Sequence, residues 1–206
     1  MRNISKTLIA AAVVLAIGIQ QQAEANLLNA PQALRGAIHR IKFDAPTLAP
    51  MAFTMFCIKY ADECKPQHKV MFRGGRVKLT GERWAELQNV NRNVNAAIRP
   101  ERNLEGLAGE KWLIGPTRGD CNDYAVTKRH ELIAMGWPAR SVLLSEVVVP
   151  SGEHHLVVVV RTNAGDLVLD NLTASITPWQ RKPYQWVRIQ MPKNPNYWAA
   201  LADRNA

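Results

Sequence analysis

The sequence predicts an α+β fold in which helices come first and an antiparallel sheet follows. Three observations carry that expectation. Apolar residues at helical spacing, bounded by start and stop signals, occupy residues 81–98 and 121–135. From Ser141 onward the apolar residues run in short β-rich segments separated by turn residues. Between the two halves, Gly119-Asp120-Cys121-Asn122-Asp123-Tyr124-Ala125 sends a turn straight into an apolar helix, with a cysteine at the join.

The first 25 residues read as a secretory signal peptide. Arg2 and Lys6 form the charged start, Leu8 to Ile19 the apolar run, and Ala23-Glu24-Ala25 the small-x-small cleavage pattern. Residues 26–206 then form one domain of about 180 residues, large enough to bury a core. Losing Arg2, Lys6 and Glu24 moves the net charge from +9 to +8. The basic residues are scattered and no nucleic-acid motif is present, which argues against a nucleic-acid partner. The charge suits a soluble basic envelope protein, or attraction to acidic substrates and anionic surfaces. No later stretch is long enough for a membrane span.

Residues 26–50 carry Pro31, Pro46 and Pro50 and read as an N-terminal arm, with a short helix around Ala33 to Ile41. Residues 51–64 read as an irregular or short helical piece. Cys57 and Cys64 lie close together in an exported chain, so a disulfide is expected, worth roughly 2–4 kcal/mol. A zinc site adding His68 is disfavoured, because Cys-x6-Cys-x3-His is not a usual ligand spacing. That pairing leaves Cys121 unpaired in an oxidising compartment.

A turn follows at Gly74-Gly75, and Thr80 is the N-cap candidate for a helix over residues 81–98. Trp84, Leu87, Val94 and Ile98 share one face, and Pro100 ends it. Asn91 interrupts the stripe; it and Asn89, Asn93 and Asn95 read as solvated or capping groups. Residues 99–118 are polar and turn-rich around Trp112.

The central helix has Tyr124, Ala125, Leu132, Ile133 and Met135 on its apolar face and stops at Gly136, before Trp137-Pro138. A thiol at its N-terminus meets free N–H groups and the positive end of the helix dipole, which favour the thiolate. An inert buried cysteine is the plain alternative.

Strands are then expected over Ser141 to Val149, His155 to Thr162, Leu167 to Asp170 and Tyr184 to Met191. Pairing Val160 with Leu167 leaves a six-residue loop and puts Asp170 opposite Val157. His155 is then its diagonal neighbour on the same face, and His154 points away. A tight Ala164-Gly165 turn keeps that parity, whereas an odd loop or a bulge reverses it. His155 is the histidine this register selects.

These residues also resemble a family. Gly119–Ala125, Gly136-Trp137-Pro138, the segment from His155 to Thr162, and Val168-Leu169-Asp170-Asn171-Leu172 are similar to the bacterial transglutaminase-like cysteine proteinases. Val90–Asn95, Pro178-Trp179 and Tyr184-Gln185-Trp186 also fit the pattern, which covers about residues 50–190. The resemblance implies a papain/transglutaminase-like α+β fold with the nucleophile at the N-terminus of a central helix packed on an antiparallel sheet. It implies Cys121 as nucleophile, His155 as general base and acid, and Asp170 as orienting carboxylate. Trp112 becomes a donor or wall at the pocket, or a core tryptophan.

One branch of that family comprises calcium-dependent periplasmic proteases that release surface adhesins and regulate biofilm. The resemblance therefore offers Asp120, Asn122 and Asp123 to calcium, as an ion that is not required. Asn122 stands where that branch usually has an acidic residue, so one charge is lost. The expected protein is a periplasmic or secreted cysteine protease acting on a surface or envelope protein, with no cofactor required. A transglutaminase or amidase using the same three residues, and a non-catalytic binding protein of the same fold, are the alternatives.

Overall fold

The computed structural model describes residues 38–66, 76–104 and 106–202. The signal-peptide expectation, most of the N-terminal arm, His68 and the Gly74-Gly75 turn lie outside those residues.

In chain order the elements are β1 (Phe43–Thr47), α1 (Met51–Lys59), α2 (Gly81–Ala97), β2 (Arg99–Pro100), α3 (Gly106–Gly109), β3 (Arg118–Gly119) and α4 (Cys121–Ala134). They continue with β4 (Val142–Val148), β5 (His154–Thr162), β6 (Gly165–Leu169), β7 (Thr177–Pro178), β8 (Gln185–Met191) and β9 (Asn194–Leu201). Seven strands form one antiparallel sheet in the order β1-β9-β8-β4-β5-β6-β7, and β2 and β3 pair separately in parallel.

The valine-rich strands are apolar on both faces because both faces are covered. Leu156, Val158, Val160, Leu167 and Leu169 pack with residues from α1, α2 and α4. Val157, Val159 and Val168 belong to a second core on the opposite face, with Trp179, Tyr184 and Ile189. The sheet is thus the central layer, and α4 lies on it against β5 and β4.

The expected pairing of Val160 with Leu167 is present, but the ladder continues to Thr162 opposite Gly165. The connection is therefore two residues, Asn163 and Ala164, rather than six. Gly165 has φ +112°, a left-handed conformation that a side chain would strain.

The start and stop of α4 follow its sequence signals. Asp120 and Asp123 form a capping box, each side chain accepting from the other's backbone N–H. At the far end Gly136 has φ +87°, and Gly136 and Trp137 donate to the carbonyls of Ile133 and Leu132. That is a Schellman stop. Thr80 caps α2 by accepting from the Arg83 N–H at 3.2 Å.

Cys57 and Cys64 are joined by a disulfide with Cα atoms 5.6 Å apart. It ties the end of α1 to the turn of 3-10 helix at Ala61–Cys64. Among the described residues no helix is long and apolar enough to cross a membrane.

Two expectations are corrected. Part of the arm is strand: β1 forms the sheet edge against β9, and residues 38–41 are not helical. The asparagines of α2 are not all solvated. Asn91 has no exposed surface, and its amide donates to the Ala174 carbonyl at 3.1 Å; Asn95 donates to the Asp170 carbonyl at 3.0 Å. They hold the chain where it leaves β6, since these carbonyls lie beyond the strand and have no ladder partner there.

Candidate active site

Cys121 is the first residue of α4 and is half-buried. His155 is the second residue of β5, 6% exposed, and Asp170 follows β6 with 1% exposed. Because β5 and β6 pair as expected, His155 reaches Asp170 on one face: Nε2 lies 2.9 Å from Oδ1. His154 points elsewhere, with Nδ1 2.5 Å from Glu146 Oε1. Cys121 and His155 line the same cleft, and the Leu156 N–H donates to the thiol.

The cleft has two unlike halves. One, of about 420 Å³, is walled by Leu48, Pro50, Met51, Trp112 and Leu156. Its polar rim is internally engaged, because Glu146 binds both His154 and Arg188. The other half, of about 710 Å³, carries more acidic groups on its lining, among them Glu101, Asp120 and Glu153, beside apolar Pro100, Leu104, Val149 and Leu172. The protein is basic overall, yet its cleft is not.

Asp170 sits in a socket of four donors. Oδ1 accepts from His155 and from the Leu172 N–H at 3.0 Å; Oδ2 accepts from Lys182 Nζ at 2.8 Å and from the Tyr184 hydroxyl at 2.6 Å. Burial alone would raise this carboxyl, but the bonds from His155, Lys182 and Tyr184 hold it well below the usual carboxylate range. An ionised Asp170 can only accept, so Nε2 of His155 carries the hydrogen and Nδ1 is left with the lone pair.

Cys121 departs from the sequence expectation. Burial pushes its thiol up to about 12, the Leu156 N–H pulls the other way, and Asp120, Glu110 and Asp123 add to the rise. The helix terminus that should favour a thiolate has been filled by its own capping carboxylates. The resting group is a neutral thiol, and a neighbouring base has to take its proton.

Trp112 lines the cleft from the core, and its indole N–H donates to Glu110 at 3.1 Å. Its donor is therefore already engaged. Asn122 donates to the same carboxylate oxygen.

The candidate calcium residues are committed to the helix cap. Asp123 accepts from the Leu113 N–H at 2.7 Å and the Asp120 N–H at 3.0 Å, and Asp120 accepts from the Asn122 N–H at 2.9 Å. Among the described residues no group of three or more His, Cys, Asp or Glu side chains is arranged to hold a metal ion. As arranged, Asp120, Asn122 and Asp123 do not fit a calcium cage, which needs six to eight converging oxygens.

Lys182, Glu110 and Lys128 were not singled out in the sequence; Asn91 and Asn95 were read there as solvated or capping groups, and Tyr184 appeared only in a family pattern and as the start of a strand. Asn91 did leave a signal, since an asparagine inside an apolar stripe needs a partner when buried.

A cysteine at a helix start, on a cleft shared with a histidine bonded to a buried carboxylate, is an arrangement suited to thiol-dependent acyl transfer. The model of the bacterial transglutaminase-like cysteine proteinases (BTLCP) matches residues 43–206, and the chain belongs to that family. It is a cysteine peptidase, and its substrates are proteins. No curated protein compared with the chain matches it significantly.

Solved structures of Legionella pneumophila LapG are similar in fold. The calcium-bound form is 22% identical, with a TM-score of 0.50 over 60% of this chain and 71% of that one. The EGTA-treated form is also 22% identical, with a TM-score of 0.48 over 59% and 72%. A further LapG structure is 23% identical, with a TM-score of 0.48 over 57% and 68%. The fold is the transglutaminase-like arrangement of helices on an antiparallel sheet.

Proposed function

We propose that the protein is an exported protease that cleaves a protein of the cell envelope through Cys121, His155 and Asp170. The observation that carries this reading is the buried His155–Asp170 bond at 2.9 Å, beside a cleft that also holds the unpaired Cys121. His155 Nδ1 takes the thiol proton as Sγ attacks the scissile carbonyl, so thiolate and imidazolium form together. Asp170 keeps the ring in the required tautomer and stabilises the imidazolium.

The Cys121 N–H holds the oxyanion. The cap takes the N–H groups of Asn122 and Asp123, and Tyr124 donates to the Asp120 carbonyl. Collapse of the tetrahedral species transfers the imidazolium proton to the leaving amine and leaves a thioester on Cys121. His155 then deprotonates the water that hydrolyses it. The apolar half of the cleft receives a substrate side chain beside the reacting carbon.

Calcium stays outside this mechanism. One LapG structure is calcium-bound; here Asp120 and Asp123 are engaged by the N–H groups of the helix cap.

The test is a proteome-derived peptide library incubated with the mature protein, with new termini read by mass spectrometry. Cleavage that disappears in Cys121→Ser and in His155→Ala is expected. Cleavage surviving in either variant overturns the assignment, and incorporation of a labelled primary amine without new termini would make the protein a transferase. Export is tested by N-terminal sequencing of protein recovered from the periplasm, expected to start near Asn26; a retained Met1 contradicts it.

A further inference from the structure

Asp170 receives more donors than the orientation of one histidine requires. Beyond His155 and the Leu172 N–H, the Lys182 ammonium and the Tyr184 hydroxyl both bind Oδ2. The carboxylate is fully buried, and the Lys182 side chain is 7% exposed. A buried carboxylate facing only a neutral imidazole would be driven toward its protonated form, and would then no longer accept the bond that fixes the ring. The Leu172 N–H, the Tyr184 hydroxyl and the Lys182 ammonium together prevent this, and Lys182 also brings a positive charge that competes with His155 for the carboxylate. Tyr184 touches both partners: its hydroxyl binds Asp170, and its ring meets the His155 ring edge-on at 6.2 Å.

The groups facing this pair come from several elements. His155 belongs to β5, and Lys182 and Tyr184 to the segment ahead of β8. From α4, Cys121 shares the cleft with His155. Lys128, also on α4, is buried and attracted by Asp170; burial lowers its ammonium to about 7, and Lys182 lowers it further. Asn95 of α2 binds the Asp170 carbonyl rather than its carboxylate. Lys182 is the cation in hydrogen-bond contact with the carboxylate.

We infer that Lys182 and Tyr184 are positioning residues that set the proton affinity of His155 through Asp170. The inference rests on the protease reading above. With Lys182 in place, the negative charge of Asp170 is shared between an ammonium and the imidazole. The imidazolium formed during attack is then stabilised enough to form, yet remains acidic enough to protonate the leaving amine. Removing the ammonium leaves the full carboxylate on His155, which holds its proton more tightly.

The experiment compares Lys182→Met, Lys182→Arg and Tyr184→Phe with the parent protein. In Lys182→Met the acid limb of kcat/KM is expected to move up by about one pH unit. Its kcat falls about tenfold while KM stays within about twofold, the pattern of a lost transition-state interaction. Lys182→Arg keeps the charge and restores the limb. Tyr184→Phe keeps the ring, loses one bond, and moves the limb the same way by less.

A second measurement needs no turnover. The His155 ring resonances are titrated in Cys121→Ala protein, with and without Lys182→Met or Tyr184→Phe. An upward displacement in both variants is expected. An unmoved or downward titration in either folded variant overturns the inference, as does a Lys182→Arg protein as impaired as Lys182→Met. Should the parent cleave nothing while the titration still moves, the protease reading fails and the charge relationship stands.

Discussion

Two buried aspartates, one beside the thiol at the start of α4 and one bonded to His155, are driven in opposite directions. Asp123, at the start of α4, is pushed up from 3.8 to about 6, chiefly by burial. Its helpers are two backbone N–H groups, from Leu113 and Asp120, and the nearby Asp120 and Glu110 carboxylates work against them. Asp170, at the end of β6, is as deeply buried yet held well below its usual range, because His155, Lys182 and Tyr184 all donate to it. Burial is common to both, so the partners decide the charge. The helix cap is a structural use of a carboxylate; the socket at β6 keeps one ionised beside the His155 imidazole.

That contrast can be broken, and the largest effect is expected at the socket. Asp170→Asn lowers kcat roughly 10³–10⁴-fold, because an amide that donates to His155 selects the wrong tautomer. Steady-state kinetics with a cleaved peptide measures it, and a loss below tenfold would place the orienting group elsewhere.

The next largest effect is expected at the cap and falls on stability rather than rate. A Cβ at Gly119 would collide with the Asp123 carboxylate that caps α4. Gly119→Ala is therefore expected to cost about 1–3 kcal/mol, the usual range for overpacking. Urea unfolding measures it, and an unchanged midpoint would show that the cap can shift freely.

The opposite shifts also give opposite pH dependences of stability. A raised carboxyl binds its proton more tightly in the folded state, so Asp123 makes the protein less stable as pH rises from about 4 to about 6. A depressed one behaves the other way: the stability Asp170 contributes is complete above its unfolded value near 3.8 and is lost as pH falls below it. Relative to wild type, Asp123→Asn gains stability across the first window, and Asp170→Asn loses its deficit in the second. Denaturant midpoints at pH 3, 4, 5, 6 and 7 follow both, and parallel profiles for the two variants would remove the distinction.

The smallest effect concerns calcium. With the cap oxygens already accepting N–H groups, calcium is expected to bind no more tightly than about 10⁻³ M, and EGTA to leave the melting temperature unchanged. Titration calorimetry reads the first and thermal unfolding the second; micromolar binding would show that the cap opens to take the ion.

Much of the site could be read from the sequence because its signals are local. Cys121 sits between a cap residue and an apolar helix, and the parity of β5 and β6 selected His155 over His154 even though the loop proved to be two residues. What escaped the sequence was long-range or electrostatic. β9 begins Asn-Pro-Asn and β1 contains Pro46, so neither has a clean alternating pattern, and each is a strand because the other and β8 are there to pair with it. Lys182 looks like an ordinary surface lysine until the chain folds it onto Asp170. The thiolate expectation weighed the helix dipole without the burial of the thiol, which raises it most, or the carboxylates that fill the same terminus.

The two-residue connection at Asn163-Ala164 has a consequence for how activity depends on folding. It makes His155 and Asp170 neighbours within a single hairpin, a contact of short sequence separation that closes with little loop entropy. Cys121 arrives from outside that hairpin, on a helix that has to dock. Partial opening that lifts the start of α4 therefore disarms the protein while base and carboxylate remain joined, at less free energy than global unfolding. On the reading proposed above, turnover is expected to report the seating of one helix, and to be lost before the sheet that carries His155 and Asp170 comes apart.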